Sequence, residues 1–129
     1  MNTGRVIYAT GGSSSLDQFG IFDGIGIYFG GVYQNISANY PKTNVWSHLA
    51  ASRIGSTIRM YINGTQTSSG TQSGSIGSSS AIAYVGARGA DSEHHFKGNI
   101  AVVRIYKGKG LTASEILQNY NAQRNRFGL

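Results

Sequence analysis

Apolar residues recur along the chain mostly at alternate positions, in short runs broken by glycine or polar turns. That pattern predicts strands with one covered and one wet face. Arg5–Thr10 reads as the first, with Val6 and Tyr8 opposite in parity to Ile7 and Ala9. Phe19–Phe22 begins a second, Ile25, Ile27 and Phe29 mark a third, and Val32–Ser37 gives a fourth. Asp23-Gly24 tolerates the positive φ that a two-residue hairpin turn requires. Trp46–Arg53 and Thr57–Ile62 form a hairpin about Gly55; the second strand sets Ile58, Met60 and Ile62 against Thr57, Arg59 and Tyr61. Asn63-Gly64 is the strongest turn signal in the chain and predicts that Thr65–Ser69 runs back as a strand. A Gly/Ser/Thr-rich loop from Gly70 to Ser80 leads into a further strand, Ala81–Gly86.

One stretch breaks the alternation. From Ile100 to Ile105, apolar side chains occupy both parities, which predicts a strand covered on both sides. The β-branched residues at 100, 102, 103 and 105, flanked by Gly98 and Gly108, favour strand over helix. On this reading Phe96–Tyr106 is the long strand around which the rest packs. A helix follows. Thr112-Ala113-Ser114-Glu115 is a capping box, Leu111 and Ile116 can form a hydrophobic staple, and Ile116, Leu117 and Tyr120 make a narrow apolar stripe. The pattern predicts about two to three turns, then a basic tail through Arg124 and Arg126. Roughly eight to ten strands with one late helix mean an all-β sandwich.

Composition sharpens this picture. Charged residues make up only 12% of the 129-residue chain and Gly accounts for 19 positions, which argues against a helical bundle. There is no cysteine, so disulfides, thiolate metal sites and a cysteine nucleophile are excluded. No apolar run reaches the length of a membrane span, and the N-terminus has neither the basic start nor the apolar core of a signal peptide. A soluble protein without its own export signal and without membrane insertion is expected. The formal charge is +6, but the basic residues form no run interleaved with aromatics, so nucleic acid is not expected as a partner. Lys97, Arg104, Lys107 and Lys109 make a mildly basic edge suited to an acidic glycan or protein surface.

Five ordered motifs carry a family resemblance. Trp46-Ser47-His48-Leu49-Ala50 followed by Met60-Tyr61-Ile62-Asn63-Gly64 resembles the central hairpin of laminin-G-like, concanavalin A-like lectin-glucanase domains. Ala83-Tyr84-Val85-Gly86-Ala87 and Phe96–Tyr106 resemble two later strands of that family, and Leu111–Ile116 with Asn119-Tyr120 its terminal helix. The ending Arg124–Leu129 is similar to those of such modules in bacteriophage structural proteins. The resemblance covers residues 44–129 well and the first third loosely. It implies a single domain over 1–129, a jelly-roll β-sandwich with one short C-terminal helix. The family's opening strands have no counterpart here, which would leave an edge for another chain or copy to cover.

The residues offer little catalytic chemistry. Glycosidases of this fold need paired carboxylates. The acids are Asp17, Asp23, Asp91, Glu93 and Glu115; only Asp91 and Glu93 are close, and they lie in a polar loop. No enzyme activity is expected. Asp91 and Glu93, beside His94 and His95, are the candidates for a calcium site, but a plain polar loop explains them as well, and no cofactor is expected. Asn35-Ile36-Ser37 and Asn63-Gly64-Thr65 are formal glycosylation sequons, the second explained by its turn. Among the aromatics, Trp46 and Tyr61 match the structural hairpin of the family, and Trp46 is expected in the core. Tyr33, Gln34, Asn35, Asn39 and Tyr40 fall on loop-like sequence and are the ligand-binding candidates: rings for sugar C–H faces, amides for hydroxyls. Two function classes follow. One, ranked first, is a non-catalytic virion surface module (capsid decoration or tail/fibre component, assembled in the host cytoplasm) that contacts other virion proteins or copies of itself, with glycan or host-surface binding as an additional activity. The other is a stand-alone carbohydrate-binding module for a cell-surface glycan.

Overall fold

A computed structural model of the chain describes residues 8–10, 19–22, 26–29, 32–35, 44–71, 73, 83–87 and 95–129, with the strands before residue 36 described by their backbone. In order the elements are β1 (Tyr8–Thr10), β2 (Phe19–Phe22), β3 (Gly26–Phe29), β4 (Val32–Asn35), β5 (Leu49–Ile54), β6 (Thr57–Ile62), β7 (Thr65–Thr71), β8 (Ala83–Val85) and α1 (Ala113–Phe127). They belong to two compact units, Met1–Asn35 with Gly74–Arg104, and Ile36–Ser73 with Ile105–Leu129.

The first unit is an antiparallel five-stranded sheet in the order β4-β3-β2-β1-β8. Consecutive strands pair as hairpins do, with Ile21 opposite Ile27 and Tyr28 opposite Tyr33. The late strand β8 returns to pair with the first, Ala9 opposite Tyr84. Beyond β8, Ala87 and His95 form an isolated bridge, and the Phe96 amide donates to the Gly86 carbonyl at 2.8 Å.

There the ladder stops. The expected long strand, Phe96–Tyr106, is not strand in the structure. Val102 and Val103 are 43% and 40% exposed, and in the second unit Ile105 and Tyr106 are 58% and 46% exposed. The apolar pattern states what a segment gains if covered. A strand also needs a neighbouring backbone to supply the ladder, and sequence pattern cannot provide one.

The second unit is the meander β5-β6-β7 with α1. Gly55 at φ 60° opens the β5–β6 turn, as a primed turn with glycine first requires, and Asn63 (φ 51°) and Gly64 (φ 77°) make the β6–β7 turn. Asn63 also ties the turn to the chain before β5. Its amide donates to the His48 carbonyl (2.8 Å), and its Oδ1 accepts from the His48 amide (2.9 Å). The central strand holds the core: Ile58, Met60 and Tyr61 are buried, with Ile116 from α1. Two consecutive buried residues, Met60 and Tyr61, mean that β6 is covered on both parities, where alternation had placed Ile62 rather than Tyr61 inside. The register shifts between them, Met60 opposite Ser68 but Tyr61 opposite Gln66, so Thr67 is an extra residue in β7. Such a bulge locally twists and bends its strand.

Two contacts dock the segment before α1 onto β5. Buried Ser52 donates from Oγ to the Leu111 carbonyl at 2.5 Å, and a side chain at Gly110 would overlap the Arg53 carbonyl and crowd Ile54 Cγ1. The helix itself is longer than the expected two to three turns, 15 residues running to Phe127. The arginines read as a tail form its last turn, where cations complement the helix dipole, and Gly128 in the left-handed region (φ 68°) ends it. Its apolar stripe also turns from the expected one: Leu117 is exposed, and Ile116, Tyr120, Gln123 and Phe127 form the covered side.

The capping box is present in full. Thr112 Oγ1 accepts from the Glu115 amide (3.3 Å), and Glu115 Oε2 accepts from the Thr112 amide (2.8 Å). The Lys109 ammonium pairs with Glu115 Oε1. Hydrogen bonding to Lys109 first, then to Thr112, lowers the Glu115 pKa from 4.5 to about 2. A carboxylate whose pKa is lowered by folding stabilises the fold above its unfolded value and loses that contribution as pH falls through the folded one. We therefore expect the stability difference between wild type and Glu115→Gln to be constant above pH 4.5 and to shrink between pH 4.5 and about 2. Denaturant titrations across that range measure it; a difference indifferent to pH would remove the charge from the explanation.

Candidate functional site

Of the five residues singled out for ligand binding, Tyr33, Gln34 and Asn35 lie consecutively on β4, within the expected fourth strand Val32–Ser37 and not on a loop. Among the described residues β4 ends the strand order of its sheet, with Tyr33 opposite Tyr28, Gln34 opposite Ile27 and Asn35 opposite Gly26. An edge strand is a usual place for recognition, because one row of its backbone groups faces outward. Asn39 and Tyr40 lie outside the described residues, as do Asp91 and Glu93. Among the described residues no three His, Cys, Asp or Glu side chains gather as metal ligands. Glu115 is the one acidic side chain among them, and the helix cap engages it.

The second unit carries an aromatic face built on Trp46, which sequence reasoning had assigned to the core, and on Phe127, which it had placed in a tail after the helix. Trp46 precedes β5 and so escapes the alternation rule; it is 41% exposed, its ring 5.1 Å from that of Phe127 and tilted by 46°. Phe127 comes from the last turn of α1, and the guanidinium of Arg126 sits over it, 5.5 Å from the ring centroid. Further along the helix Tyr120 meets the His48 ring at 5.9 Å and packs on Gly64, where an added Cβ would stand 3.0 Å from Tyr120 Cδ1 and 2.8 Å from Leu117 Cδ1. Tyr120 and Phe127 are seven residues apart, two helical turns, so both fall on the face that meets the start of β5.

An exposed indole anchored by a second ring is preorganised. It offers flat apolar area without losing rotamer freedom on binding, and the adjacent guanidinium adds directional donors. The one signal of this face in the sequence was the spacing of Tyr120 and Phe127, which continued the helical stripe past the expected helix end.

Residues 3–117 match the family model for the concanavalin A-like lectin/glucanases superfamily. The fold is similar to that of the crystal structure of an S-layer domain-containing protein (residues 221–444) from Clostridium thermocellum, with a TM-score of 0.52 and 21% sequence identity. The similarity covers 91% of this chain and 63% of that one, so the chain spans less than two thirds of that structure. No curated protein sequence matches the chain significantly.

Proposed function

The chain belongs to the concanavalin A-like lectin/glucanase superfamily, and on that premise we propose that it is a non-catalytic surface module that binds glycan. The jelly-roll sandwich of the family is part of this reading. The observation that carries it is the half-exposed Trp46 braced by Phe127, a ring that the core does not need covered and that a pyranose C–H face fits. Tyr33, Gln34 and Asn35 on the edge strand β4 are a second place for sugar contacts in the same reading. It requires no metal or other cofactor, no nucleic acid and no insertion into a membrane. The test is a broad glycan array followed by titration of any hit. Saturable binding that Trp46→Ala weakens supports the reading, and an array without hits sinks it.

A second reading concerns the setting. We propose the virion surface, as a capsid decoration or a tail/fibre component, with other virion proteins or copies of the chain as partners. The exposed Val102 and Val103 favour it, since apolar side chains on both parities of one segment gain most when another chain covers them. Resemblance of the Arg124–Leu129 ending to bacteriophage modules supports it too. Light scattering over a concentration series is the check: a defined oligomer is expected, and a monomer that also fails to associate with virions counts against it.

A further inference from the structure

We infer that the Trp46–Phe127–Arg126 face takes an acidic saccharide, one bearing carboxylates, in preference to a neutral glycan; this rests on the glycan-binding reading above. The first observation is how charge divides between the two compact units. The unit formed by Ile36–Ser73 and Ile105–Leu129 holds seven of the 11 Lys and Arg residues and one acid, Glu115. The other unit holds four of each. The whole formal charge of +6 therefore belongs to the unit with the aromatic face. Its one acidic side chain is paired with Lys109 and the helix cap, which spends that charge locally. A cationic unit draws anionic ligands to itself and speeds their capture.

The second observation is local geometry. The guanidinium of Arg126 is 5.5 Å from the Phe127 centroid, and Phe127 is 5.1 Å from Trp46, so the cation lies no further from the indole than these two steps together. That is within reach of a substituent on a sugar stacked at Trp46, or on the next sugar along. Arg126 is exposed, and a guanidinium resting on a ring keeps its in-plane donors for a carboxylate fork. Arg124 is three residues before Phe127 and shares its side of the helix.

Both arginines also complement the helix C-terminus, which alone could account for their positions. It does not account for a unit with a single acidic side chain, nor for a half-exposed tryptophan against the ring that carries the cation. Single-stranded nucleic acid also combines anions with stacking rings, but it is usually met by several successive aromatics along a basic groove. One braced indole in a lectin-like domain suits a saccharide better.

The experiment uses the full chain and three probes: polygalacturonate, the same polymer after carboxyl reduction, and oligo-dT, each titrated by calorimetry at low and high salt. We expect the acid polymer to bind at least about tenfold more tightly than its reduced form, the worth of one charge-assisted contact. Added salt should erase the difference, and Arg126→Gln should lower affinity for the acid polymer alone. Arg126 is exposed, so this variant is expected to fold; circular dichroism confirms it. Equal binding of both polymers overturns the acidic preference while leaving glycan binding standing. Binding of neither, with an empty glycan array, overturns both. Tighter binding of oligo-dT replaces the saccharide with a nucleic acid.

Discussion

Met60→Ala is expected to lower the unfolding free energy by about 2–5 kcal/mol, the range for truncating a fully buried methionine. Met60 is 0% exposed, on the central strand of the three-stranded sheet between buried Ile58 and Tyr61. Removing its side chain costs the transfer of the lost atoms from water and leaves a cavity. The cavity is hard to close here because β6 is held on both sides, by β5 in continuous register and by β7 through the bulge at Thr67. A loss near the top of the range is thus expected, and it is large against the roughly 5–15 kcal/mol that holds a typical domain folded. Val45→Ala is the control: at 55% exposure it should change stability by no more than about 0.5 kcal/mol. Urea titrations of the three proteins decide it. Equal midpoints for Met60→Ala and wild type would mean that this strand is not the core of the folded chain.

Trp46→Ala carries the second large effect, on binding and not on folding. If glycan stacks on this indole, its removal should weaken affinity by about 2 kcal/mol, roughly thirtyfold, as loss of an interface tryptophan typically does. Phe127 would remain, but on the intermediate side of its helix and without the exposed indole it offers less flat area. The effect must be separated from unfolding, so the variant's denaturation midpoint is measured alongside; half-exposed Trp46 predicts a smaller stability loss than Met60→Ala. Unchanged affinity in a folded variant would move the site to the β4 edge, where Tyr33→Ala is the next substitution.

Much of the fold was legible because it is written in local signals. Asn63-Gly64 specified its hairpin through the positive φ of both residues, and Gly55 did the same for β5–β6. Thr112 and Glu115 specified the helix start through hydrogen bonds three residues apart. The family resemblance over the second half rested on those same stretches, and the family match agrees with it. The candidate site was less legible. Tyr33, Gln34 and Asn35 fall in the expected fourth strand yet were selected for a loop-like composition, since a short polar strand differs from a loop only by the partner it finds. Trp46 was assigned inside because a large ring in a structural motif is usually buried; its exposure follows from standing ahead of β5 and against the helix end.

By itself the sequence determined the strand-rich class, the β5-β6-β7 meander, the start of α1 and the lack of any cysteine chemistry. Each depends on residues a few positions apart, whose dihedral preferences and hydrogen bonds act before any distant contact forms. Only tertiary structure decided that Tyr61 is buried and Ile62 less so, that α1 continues to Phe127, that Trp46 is an outward ring, and that the 96–106 stretch is not a strand. It also decided that seven of the 11 basic residues and only one acidic residue fall in the same unit. In all of these the outcome rests on which remote segment comes alongside. Hydrophobic pattern records a demand for cover, and the supply of that cover is a property of the folded chain.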